Sequence, residues 1–75
     1  MPDVQFTFVL RGYDPAEVND LIQQANRALA STDSATRSEV ERRLRQPNLH
    51  IRMRGYDRSQ VDARLAVLAD QLTAR

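Results

Sequence analysis

The sequence predicts a small α+β domain, β-α-α-β-α, with two short antiparallel strands and three helices. Three observations lead there. Leu10-Arg11-Gly12-Tyr13-Asp14 returns 43 residues later as Met53-Arg54-Gly55-Tyr56-Asp57. Apolar residues alternate just before each copy and recur at helical spacing after it. The 2 glycines and 2 tyrosines of the chain all fall in this pair. The chain reads as one domain, with repeats over about 4–29 and 47–74 joined by a short helix over about 34–45. The halves are expected to be related by a pseudo-twofold axis.

In the first strand Phe6, Phe8 and Leu10 alternate with Gln5, Thr7 and Val9, the period of a half-buried strand. The 43-residue shift carries them onto Leu49, Ile51 and Met53, in a second strand over about 49–54. Phe6, Phe8, Leu49 and Ile51 are therefore expected in the core, with Leu10 and Met53 completing the same apolar face. Gly12 and Gly55 are expected to reverse the chain between strand and helix, where positive φ is easiest without a Cβ.

The first helix, about 14–29, starts at a capping Asp14 with Pro15 at its first position and Glu17 at its third. Val18, Leu21, Ile22, Ala25 and Leu29 form its apolar stripe. A small-polar loop over 30–34 follows, and Thr32, Asp33 and Ser34 are all candidate caps for the next helix. That helix, about 34–45, has only Ala35, Val40 and Leu44 as apolar side chains. Its Glu39–Arg43 and Glu41–Arg45 spacings predict ion pairs of about 0.2–0.5 kcal/mol each. Pro47 ends it. The last helix, about 57–73, is capped by Asp57, with Gln60 in the spacing of a capping box and Val61, Leu65, Leu68 and Leu72 on one face. Tyr13 with Val18 and Tyr56 with Val61 have hydrophobic-staple spacing.

The recurring motif resembles the signature of the DivIVA domain of bacterial cell-division and polarity proteins. The matching windows are Leu10 to Asn19 (LRGYDPAEVN) and Met53 to Asp62 (MRGYDRSQVD). The resemblance implies a tandem-copy member acting as a non-enzymatic protein-interaction module in division, polar growth or envelope organisation. It also implies membrane or partner contact by an apolar residue followed by a basic one, here Leu10 with Arg11 and Met53 with Arg54. The family's founding members carry Phe where this chain has Leu10 and Met53, and they continue into a long coiled coil that these 75 residues do not encode. Antiparallel strands followed by turns would place the two contact dipeptides at opposite ends of the sheet, which counts against a shared membrane face.

Composition narrows the function. With 0 cysteines, disulfides, thiolate chemistry and Cys-ligated zinc are excluded. His50, the single histidine, sits on the outward phase of its strand beside Arg52. The serines occupy caps, loops and helix surfaces, and two glycines so far apart cannot cradle a phosphate. The chain is read as not an enzyme, with no metal and no cofactor. Gly12, Tyr13, Asp14, Gly55, Tyr56 and Asp57 are read as structural. Met1-Pro2-Asp3 lacks the features of a signal peptide, and no apolar run approaches a membrane span. A cytoplasmic protein, with peripheral membrane contact as the minor alternative, is expected.

All 11 basic residues are arginine, which a high-GC genome explains. Residues 1–36 carry a net −3 and residues 37–64 a net +4. The arginine-rich middle (Arg37, Arg42, Arg43, Arg45, Arg52, Arg54, Arg58 and Arg64) supports the runner-up, a small nucleic-acid-binding or regulatory protein. Interleaved acids and the lack of stacking aromatics disfavour nucleic acid. A chain this short buries only about 60% of its unfolded surface. A two-stranded sheet also leaves open edges. A homodimer is expected on both grounds, beside a protein partner of the division or envelope machinery.

Overall fold

The computed structural model describes residues 6–73. Residues 1–3, on which the signal-peptide reading rests, residues 4 and 5 of the first repeat and residue 74 of the second lie outside them. The order is β1 (Phe8–Tyr13), α1 (Pro15–Ala30), α2 (Ser34–Arg45), β2 (Ile51–Tyr56) and α3 (Arg58–Thr73). This is the β-α-α-β-α order and α+β class that the sequence predicts.

Helix starts follow from the caps. The Asp14 carboxylate accepts from the Ala16 and Glu17 amides at 2.8 and 3.3 Å, with Pro15 opening α1. Asp57 does the same for Ser59 and Gln60 at 2.9 and 3.3 Å. Of the three candidate caps for α2, Asp33 is the one used, accepting from the Ala35 amide and the Thr36 hydroxyl. Both expected ion pairs of α2 form, Arg43–Glu39 at 3.3 Å and Arg45–Glu41 at 2.8 Å.

The core belongs to the helices. Val18, Leu21, Ala25 and Ala28 of α1, Val40 and Leu44 of α2, and Val61, Leu65, Leu68, Ala69 and Leu72 of α3 are buried together. Ile22, Leu29, Phe6, Leu49, Tyr13 and Tyr56 pack around that cluster as half-buried neighbours. Ala35 stays exposed. Arg37 binds the helix ends together: its guanidinium donates to the carbonyls of Ala28, Leu29 and Ser31 and, 3.2 Å away, to that of Leu72. A cation placed on C-terminal carbonyls of two helices meets both their unpaired acceptors and the negative ends of their dipoles.

The strands depart from the expected half-buried sheet. They run on through the Gly-Tyr dipeptides, where the sequence predicts the reversal into the helix, and within them only Gly12 and Gly55 are buried. Phe8 and Ile51, expected in the core, are exposed, and so are Leu10 and Met53. Phe8 lies opposite Tyr56, Val9 opposite Gly55, Leu10 opposite Arg54, Gly12 opposite Arg52 and Tyr13 opposite Ile51. Partner numbers fall as chain numbers rise, so β1 and β2 are antiparallel, as expected. One further pairing, Tyr13 with Tyr56, falls out of that order and marks an irregularity in the ladder.

A sharp bend explains that irregularity. Three extended residues span about 10 Å. Yet Val9 is opposite Gly55 and Gly12 touches Gly55 too, a Cβ on Gly12 falling 2.5 Å from the Gly55 carbonyl carbon. The regular pleat is broken between them, where Arg11 has a φ of 62°. Left-handed backbone is uncommon for a residue with a Cβ. Neither glycine has positive φ. The glycines therefore serve close approach and not reversal, which corrects the role read from the sequence. Hypothetical Cβ atoms on Gly12 and Gly55 would each lie 2.3 Å from a backbone oxygen, of Tyr56 and Tyr13 respectively. Only glycine fits there.

Candidate functional site

The capping residues do more than begin helices. Glu17 and Gln60 do not close capping boxes on their own helices, the correction being clearest for Gln60. Each reaches the residue just before the strand of the other half. The Glu17 carboxylate accepts from the His50 amide at 2.8 Å and meets its ring Nδ1 at 2.7 Å. The Gln60 side chain accepts from the Thr7 amide at 2.7 Å and donates to its hydroxyl at 3.2 Å. The Asp14 amide donates to the His50 carbonyl at 2.9 Å, and the Asp57 amide to the Thr7 carbonyl at 2.8 Å. Tyr13 donates to Asp62 of α3 at 3.0 Å, while Tyr56 donates to Asn19 of α1 over a longer 3.4 Å.

Each of these contacts has its counterpart 43 residues along: 7 with 50, 14 with 57, 17 with 60, 19 with 62. The repeats are thus held to each other through the positions that recur. Recurrence at 17/60 and 7/50 was visible in the sequence, but nothing local showed that the partners lay in opposite halves.

Electrostatics reinforce one side of this arrangement. Arg52 pairs with Asp14 at 2.7 Å. That guanidinium, with the Glu17 amide second, holds the Asp14 carboxyl below its ordinary range. Glu17 is lowered by the His50 amide first and its ring second. Tyr13 is raised, chiefly by burial and then by its bond to Asp62. His50, read as an outward residue beside Arg52, is exposed but held by Glu17.

The crossing decides where the contact residues stand. Leu10 and Arg54 are direct strand partners, so Leu10, Arg11, Met53 and Arg54 gather in one place. The expectation that they lie at opposite ends of the sheet is wrong. It assumed turns beyond the strands, whereas both dipeptides occupy the middle of the ladder. Leu10 is 80% and Met53 84% exposed, so neither completes the core. Phe8 and Ile51 are exposed beside them in the same two strands, and the Arg54 guanidinium lies 5.7 Å above the Phe8 ring. Phe8 and Phe6 in turn flank Tyr56, with ring centroids 5.2 and 5.1 Å away. The result is a paired tip, an exposed stretch of both strands along which apolar side chains alternate with arginines. Gly12, Tyr13, Asp14, Gly55, Tyr56 and Asp57 form the crossing that carries it.

Much of the arginine-rich middle is engaged elsewhere. Arg37 ties helix ends, Arg43 meets Glu39 and Gln24, Arg45 meets Glu41 and Asp70, and Arg52 meets Asp14. Among the described residues no group of three or more His, Asp or Glu side chains is placed to hold a metal. No helix there is long and apolar enough to cross a membrane.

Comparison with known proteins returned no family model, no curated protein and no solved structure that matches this chain.

Proposed function

We propose that this chain is a non-enzymatic interaction module that meets its partner through the paired tip at Leu10, Arg11, Met53 and Arg54. The observation that carries the reading is the exposure of Leu10 and Met53 together, on strands whose register sets Leu10 against Arg54. Exposed large apolar groups in one patch mark interaction surfaces. Apolar side chains that protrude with cations beside them suit an anionic membrane surface, where the former enter the headgroup boundary and the latter meet phosphate. The resemblance to the DivIVA domain points to the same residues and to bacterial division, polar growth or envelope organisation as the setting.

The test is binding to vesicles of phosphatidylcholine with and without phosphatidylglycerol. Wild type should bind the anionic vesicles, and the Leu10→Ser/Met53→Ser variant should not, while remaining folded. A protein partner is the reading left if wild type ignores both vesicles.

A homodimer belongs to the same proposal. β1 and β2 pair with each other, so a second copy would join through outer strand edges or helix surfaces. Sedimentation equilibrium at low and high salt measures it. Nucleic acid is the weaker alternative, because so many guanidinium groups of the middle section are bound to acids or carbonyls of the chain itself.

A further inference from the structure

We propose that Met53 is an oxidation site that controls the contact made by the paired tip. The inference rests on the tip being the contact surface, and adds a means of regulating it. The chain has 2 methionines, Met1 and Met53. Met53 is the most exposed large apolar residue of the described chain, at 84%. Its sulfur is therefore open to a dissolved oxidant, and reactivity on the methionine oxidation ladder follows exposure.

The step needs only a hydroperoxide such as hydrogen peroxide. A sulfur lone pair attacks one peroxide oxygen, the S–O bond forms and the O–O bond breaks. The departing oxygen leaves as water after taking up a proton. Sulfur is oxidised by two electrons, and the peroxide is reduced by two. The product, a sulfoxide, is polar and must lose water to enter an apolar environment. Methionine sulfoxide is reducible by a reductase, so the change can be undone.

The repeat supplies an internal reference. Leu10 stands 43 residues before Met53, is 80% exposed, and has no sulfur to oxidise. One of two matching tips is thus open to this chemistry and the other is inert. Met53 lies outside the buried cluster, so oxidation should leave the fold intact.

The experiment treats the intact chain with hydrogen peroxide and locates the added oxygen by peptide mass mapping. It then compares melting temperature and binding to phosphatidylcholine/phosphatidylglycerol vesicles before and after treatment, for wild type and Met53→Leu. Oxidised wild type is expected to melt as before and to bind roughly tenfold or more weakly, the loss of one buried Met side chain. Met53→Leu is expected to bind like untreated wild type in both states, although Met1 can still be oxidised. Unchanged binding by oxidised wild type overturns the inference while leaving the contact reading standing. An equal loss in treated Met53→Leu also overturns it, by assigning the effect to Met1. Failure of untreated wild type to bind the vesicles removes the membrane as the partner of the tip, and this inference with it.

Discussion

The helical layer and the strand crossing are stabilised by different means. Helices α1, α2 and α3 bury Leu65, Leu68, Val18 and Val61 almost completely, and burial of that kind depends on volume and apolar character. The strands bury almost nothing but two glycines. They are held by backbone groups, by Glu17, Gln60, Tyr13 and Tyr56 reaching across, and by the absence of a Cβ at the crossing. The helical layer supplies stability, and the crossing supplies a geometry in which two exposed tips stand together.

The largest effect should come from the helical side. Leu65→Ala should cost about 2–5 kcal/mol, from lost burial and the cavity left behind, measured by urea denaturation. Gly12→Ala and Gly55→Ala come next, at about 1–3 kcal/mol or more each, because a backbone overlap cannot be relieved by turning a side chain. The double variant should cost less than the two losses added, since both changes break one contact. Additive losses would mean that the glycines act separately.

Acid sharpens the comparison. The folded Glu17 pKa lies below its ordinary 4.5, and that of Asp14 below its ordinary 3.8. Each carboxylate therefore contributes stability in full above its unfolded value, and loses it as pH falls through the lower folded value. Titration below about pH 4.5 should loosen the Glu17–His50 clip, and Glu17→Gln should remove that part of the pH dependence. The Thr7–Gln60 clip has no ionising carboxylate and should not respond. Amide exchange at His50 and Thr7 across this range compares the two directly. The smallest effect on stability belongs to the tip: Leu10→Ser and Met53→Ser should each change it by no more than about 0.5 kcal/mol. A large loss would show that these side chains are packed after all.

How much of this was legible in the sequence follows the same division. The helices could be read because burial leaves a 3.6-residue pattern: Val18, Leu21 and Ala25 in α1, and Val61, Leu65, Leu68 and Leu72 in α3, are buried as expected. Asp14 and Asp57 were readable as caps because capping is local. The strands mislead because alternation ordinarily signals burial. Phe8 and Ile51 alternate correctly but face solvent, since the bend near Arg11 and the glycine contact break the regular pleat. Gly12 is legible as a special position but not for its actual role, because an approach between residues 43 apart leaves no local trace. The contact dipeptides were named from a resemblance. Their coming together could not be, because it depends on the register of β1 against β2.

The most direct test of the account is whether the two tips stand side by side within one chain. The protein has 0 cysteines, so Leu10→Cys/Arg54→Cys introduces a single pair at positions that are direct partners across the ladder. Antiparallel partners have Cα atoms about 4.5–5.5 Å apart, within the range a disulfide accepts. Mild oxidation should close an intrachain disulfide in the folded protein at high dilution, with the melting temperature kept or raised. Persistently free thiols, or disulfides formed only between chains, would contradict the crossing and the paired tip that depends on it.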